Sequence, residues 1–143
     1  MLLTSPDKEV SKPTFKHIEA EFYKYHQTVR EIKQLENEII YETSRDENVG
    51  GGKGNLPSRP TERKATRLAT HRELKYLKDV VYAIETVYNL ASEEYKELIR
   101  LRYWSNRDLT WDGIANELHM SRRKAISMRD EIIMATAELL GWR

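Results

Sequence analysis

Two capping residues, Thr110 and Ser121, narrow what the C-terminal third of this chain can become. Thr110 can cap a short helix whose inner side is Ile114, Ala115 and Leu118, and Ser121 can cap a second helix that opens RRKAISMRD. Only His119 and Met120 separate the end of the first helix from the second cap, so the chain must reverse sharply there. The small Ala115 lets the two helices approach closely, and Met120, Ala125 and Met128 can close the gap between them. His119 stands where such a turn usually takes glycine, and histidine visits the left-handed backbone region more readily than most side chains. Thr110–Asp130 therefore reads as a helix-turn-helix.

The second helix begins with Arg122, Arg123 and Lys124. A helix N-terminus already carries partial positive charge and unpaired N–H groups, so three cations there suit a nearby phosphate or base-edge acceptor. In a DNA-reading unit of this kind, the first residues of the second helix and those one turn on reach base edges. Here these are Ser121, Arg122, Arg123, Ile126 and Ser127, with the two arginines as base readers and Ile126 placed for a thymine methyl. Lys124 and Arg129 are angled to the flanks, where a phosphate is the expected contact; Arg129 can equally pair inside the protein with Asp130 or Glu131. Thr110 and Trp111 belong to the supporting helix, and Trp111 is either a phosphate donor through its indole N–H or a core aromatic. The plainer alternative is two amphipathic helices of a bundle with a charged turn facing water. The second helix should continue to about Leu140, with Ala125, Met128, Ile132, Ala135 and Leu139 inward, Gly141 left-handed and Trp142 folded back.

Upstream, two long stretches carry apolar residues at steps of three and four. Phe15, Ile18, Phe22, Tyr25, Val29 and Ile32 mark one helix from Pro13 to about Thr43; Leu74, Leu77, Val81, Ile84 and Tyr88 mark another from about Glu62 to Asn89, capped by Thr61. Two complementary seams joined by a loop imply an antiparallel helical hairpin. The connection over residues 44–61, SRDENVGGGKGNLPSRPT, holds four glycines and two prolines and is expected to be a mobile loop. A phosphate-binding loop at Gly50–Gly54 is disfavoured, because no strand precedes it and no Gly-Lys-Ser/Thr ending follows. Ser92 is placed to cap a further helix, EEYKELIRLRYW. No strand pattern and no repeat is present, so the fold class is all-α. Its expected domains are 12–90, the hairpin with its loop, and 91–143, the helix-turn-helix unit.

Charge and composition exclude more than they assign. The net charge of +1 divides as −2 over residues 1–44, +3 over 45–90 and 0 over 91–143, so DNA affinity would need local clustering at Arg122–Lys124 and along Arg59–Arg72. With no cysteine there is no disulfide, thiolate nucleophile or Cys-based zinc site. His17, His26, His71 and His119 are too far apart in sequence for a local metal pair, and the nearest partner, Glu21 for His17, suits a solvated helix face. No nucleophile elbow, catalytic carboxylate pair or phosphoryl-transfer motif is found. The expectation is a non-enzyme with no cofactor and no metal. The N-terminus, MLLTSPDKEV, lacks the pattern of a signal peptide and nothing approaches a membrane span, so a cytoplasmic location in a bacterial host cell is expected.

The C-terminal stretch from Glu93 to Asp130 resembles region 4 of bacterial sigma factors, where ELxxLRY-like residues precede the DNA-reading helix pair. The order of parts along residues 12–143 resembles the phage late-gene transcriptional activators of the RinA type, related to ArpU-like regulators. The residues that carry it are Glu38–Ile40, Asp46–Gly52, Thr61–Thr66, Arg129–Ile133 and Ala137–Trp142. This resemblance implies a protein of a tailed phage or prophage of a low-GC Gram-positive host that activates packaging and structural genes. Expected partners are promoter double-stranded DNA, host RNA polymerase and a second copy as a homodimer, with no membrane. Two alternatives are a small terminase subunit, which also joins a helix-turn-helix to helical oligomerisation elements, and an adaptor that binds a sigma factor or polymerase without touching DNA.

Overall fold

The computed structural model describes residues 9–48 and 60–143, and every regular element among them is helical. The order is α1 (Lys12–Tyr23), α2 (Tyr25–Asn48), α3 (Pro60–Leu90), α4 (Glu93–Ile99), a π-helical turn (Arg100–Trp104), α5 (Trp111–Leu118) and α6 (Arg122–Leu140). Of the expected loop over 44–61, residues 44–48 and 60–61 are helical; the remainder, with the glycine cluster and the question of its mobility, lies outside the described residues. Thr61 consequently sits inside α3 rather than at its cap.

The single helix expected from Pro13 to Thr43 is interrupted at Lys24. The Trp104 indole marks where: its Nε1–H donates to the Phe22 carbonyl at 3.0 Å, a side chain inserting at the end of the helical ladder. The helix expected from Ser92 through Trp104 also changes character, becoming a wider π turn after Ile99. Ser92 holds the cap conformation without a side-chain hydrogen bond, and Glu93 and Glu94 place negative charge in the first turn instead.

Contacts divide the chain into two compact units, one comprising the N-terminal residues through Tyr25 with Val80–Arg143, the other His26–Asp79. The first unit therefore begins its C-terminal part eleven residues before the boundary expected at 90/91, and it includes α1. Size supplies the reason. Three short helices of about fifty residues cannot bury enough apolar surface alone, and here Ile18 and Phe22 of α1 and Val80, Ile84 and Val87 of α3 complete the core around α6. Helix α6 packs against α1, α4 and α5, and Ala125, Met128, Ile132 and Ala135 are buried as their spacing predicts. Leu139 departs from that pattern and is half exposed, while Ile133, Thr136 and Ala137 are buried, so this end of the helix is enclosed on more than one side. The inward position on α3 is Val80 rather than Val81, and Val87 rather than Tyr88.

The second unit is sparer. Thr28, Leu74 and Leu77 are buried, Val29 and Ile32 are only half-buried, and Ile40, Tyr41 and Leu68 stand exposed. Lys78 of α3 meets Glu36 of α2 at 3.3 Å, whereas Arg67, Thr70 and His71 share a shallow groove with Glu38, Ile39, Glu42 and Thr43. Later residues of α2 thus lie beside earlier residues of α3.

Candidate functional site

Local hydrogen bonds build the α5–α6 turn. Thr110 caps α5, its hydroxyl accepting from the Gly113 N–H at 3.1 Å, and Ser121 caps α6 by accepting from the Lys124 N–H at 3.1 Å. His119 lies in the left-handed region at φ 54°, ψ 46°, and the Met120 N–H reaches the Ala115 carbonyl at 3.0 Å, satisfying the end of α5. Ile114 and Ala115 are buried under the turn, with Leu118 and Met120 half-buried beside them. The same device closes α6, where Gly141 has φ 72° and the Trp142 N–H bonds to the Ala137 carbonyl at 3.0 Å.

This geometry leaves the first turn of α6 in solvent. Ser121, Arg122, Arg123 and Lys124 are all exposed, as is Ser127, and Ile126 is half-buried. Arg122 lies 3.7 Å from Asp112 and Lys124 lies 3.4 Å from Glu94, but both pairs are solvent-exposed and so hold their cations weakly. Arg123 has no ion-pair partner among the described residues. It shares one helical face with Ser127, one turn on.

Arg129 and Trp111, each open in the sequence between a phosphate contact and an internal one, take the internal placement. The Arg129 guanidinium is only 16 % exposed, donating to Glu19 at 3.2 Å and to Asp130 at 2.8 Å. Burial opposes its charge, yet Asp130 and Glu19 more than offset that and hold its pKa above the ordinary value. It also lies over the rings of Phe15 at 5.0 Å and Trp111 at 4.9 Å. Arg129 is therefore a strut joining α6 to α1, and a phosphate would have to compete with two carboxylates for it. Trp111 is a partly buried aromatic packed on the core, with the Arg102 guanidinium 4.5 Å from its ring.

Several residues that fix the site were not singled out by sequence pattern. Tyr103, buried on the π turn, donates to Glu19 at 2.7 Å, and Tyr95 of α4 donates to Glu131 of α6 at 2.6 Å. Burial and the adjoining Glu131 push the Tyr95 phenol up to about 12, and burial with Glu19 raises that of Tyr103 as well. Two tyrosine–glutamate bonds thus tie α1, α4 and α6 together. His17 and Glu21 also differ from a solvated face: His17 stacks on Trp142 with ring centroids 4.6 Å apart, its Nε2 is 3.7 Å from Glu21, and Glu21 is buried. Thr14 of α1 and its cap residue Ser11 donate to the Arg143 carbonyl oxygen, the latter at 3.2 Å.

Among the described residues no cluster of His, Asp or Glu has the arrangement of a metal site, and no helix is long and apolar enough to cross a membrane. The family described as "protein of unknown function (DUF722)" matches residues 18–138. The chain belongs to the DUF722 family. The DUF722 match runs through both compact units and takes in all of α5 and nearly all of α6. No curated protein and no solved structure matches the chain.

Proposed function

We propose that this DUF722 chain is a sequence-specific DNA-binding transcriptional activator of phage late genes, of the RinA type. In this reading α5 and α6 form a helix-turn-helix of the sigma-region-4 kind, and α6 enters the major groove by its first turn. Arg123 and Arg122 read base edges, with Ile126 and Ser127 one turn on, and Lys124 holds a flanking phosphate. α2 and α3 form a hairpin that serves a second copy or the host polymerase. The observation that carries the reading is the exposed, capped, cationic start of α6 with Arg123 unpaired, set against the buried stretch from Ile132 to Ala137 further along the same helix. A helix kept only for packing gains nothing from three adjacent cations at the end where its own dipole is already positive.

Footprinting of the purified protein on its own genomic neighbourhood tests this. Protection over a promoter is the expected result. Protection at a packaging site would replace the activator with a small terminase subunit, and binding to polymerase without any DNA protection would replace it with an adaptor.

A further inference from the structure

Of the arginines around the α5–α6 turn, Arg123 stands unpaired in solvent, and Arg102 alone among the described residues combines a missing acceptor with a buried nitrogen. Arg100 donates to the Tyr88 hydroxyl at 2.6 Å, Arg107 to Glu117 at 2.6 Å, Arg122 faces Asp112 at 3.7 Å, and Arg129 binds Glu19 and Asp130. Arg102 has no acceptor among the described residues, and its Nε is a buried nitrogen without a hydrogen-bond partner. The guanidinium is nevertheless held in place, 4.5 Å from the centre of the Trp111 ring. Arg129 lies over the same ring at 4.9 Å. Two cations thus share one indole, and only Arg129 is neutralised. A fixed, un-neutralised guanidinium beside another cation is unfavourable in the free protein unless an anion completes it.

The position of the stack identifies that anion. Trp111 is the first residue of α5, and its neighbour Asp112 faces Arg122 in the first turn of α6. We propose that Arg102, held against Trp111, binds a backbone phosphate of double-stranded DNA at the edge of the groove that α6 enters; this rests on the DNA-binding reading above. A supporting helix in such a unit lies across the sugar-phosphate backbone, so the group at its start meets phosphate and not base edge. Stacking fixes the guanidinium before DNA arrives, which lowers the ordering cost of the contact. Arg102 would then add affinity without sequence preference, whereas Arg123 supplies preference.

The test uses the full chain and two duplexes, one carrying the footprinted sequence and one of scrambled sequence, each titrated over a range of salt. Arg102→Gln keeps a shorter polar side chain and removes the charge. The expected result is a similar loss of about tenfold on both duplexes, and a slope of log affinity against log salt smaller by about one. Arg102→Lys should recover most of the slope, and thermal melts should show both variants folded. Wild-type affinity and slope in folded Arg102→Gln overturn the assignment while leaving the DNA-binding reading in place. A lysine variant with the glutamine variant's slope also overturns it. If the wild-type protein binds neither duplex, the DNA-binding reading itself falls and this inference with it; wild-type binding of inorganic phosphate, with no effect of Arg102→Gln on DNA, would reassign Arg102 to a free anion.

Discussion

The two ends of α6 are made for opposite surroundings. Its first turn exposes Arg122, Arg123 and Lys124 and is held by one hydroxyl cap, whereas Ile132, Ile133, Thr136 and Ala137 further along are fully buried in a helix that packs on α1 and α4. One helix thus carries a surface that can change without disturbing the fold and a segment on which the fold depends. The difference teaches that chemistry and stability are separable here along a single element, by about two turns. Mutations can be sorted by that distance.

The largest expected effect is at the enclosed end. Ile132→Ala removes a fully buried side chain and should cost about 2–5 kcal/mol, a large share of the stability of a domain this size. Leu139→Ala, at a half-exposed position of the same helix, should cost less, about 1 kcal/mol. Equal losses in a denaturant titration would break the comparison. Arg123→Ala should leave the melting curve unchanged and weaken specific DNA binding by about 1–3 kcal/mol, the scale of one bidentate base contact. A variant that binds as wild type in a gel shift would remove Arg123 from the reading set.

The tyrosine–glutamate bonds, from α4 to α6 and from the π turn to α1, sharpen the same contrast through pH. The Tyr95 phenol is held near 12 in the folded chain against an ordinary value of 10.0, so folding favours its neutral form. That contribution is complete below pH 10 and is lost as pH rises from about 10 to 12, with Tyr103 acting in the same direction. Tyr95→Phe should flatten stability measured across that window; an unchanged alkaline profile would mean that the bond to Glu131 contributes little. The smallest effect belongs to the turn. His119→Gly relieves a left-handed non-glycine residue but loosens the unfolded chain, for a net gain of about 0.5–1 kcal/mol. A loss of stability instead would show that the His119 side chain contributes contacts that outweigh its backbone strain.

What the sequence made legible was local. Thr110, Ser121, His119 and Gly141 could each be placed because a cap or a left-handed residue acts on its own few neighbours. The sides of α3 and α6 were legible to within a residue, since spacing gives a stripe but not which neighbour covers its edge; Val80 and Val81 differ by one position and by which of them meets the core. The Lys24 interruption was not legible, because it depends on the Trp104 indole more than eighty residues away along the chain. Arg129 was undecided for the same reason: Asp130 stands beside it in sequence, but Glu19 reaches it only through the fold. Arg102 passed unnoticed because a missing partner leaves no mark in a sequence.

The π turn at Arg100–Trp104 makes one connection depend on how many residues are present as well as on which they are. Each residue of an α-helix advances about 100° around its axis, so a π turn holds one residue more than regular winding would take. Deleting a single residue there would let α4 continue as an ordinary helix with better backbone geometry. The same deletion would swing Tyr103 off Glu19 and Trp104 off the Phe22 carbonyl, bonds that hold α1 in place. At this point a locally improved helix is a worse protein, and the extra residue behaves as a spacer whose value lies in the rotation it imposes on its neighbours.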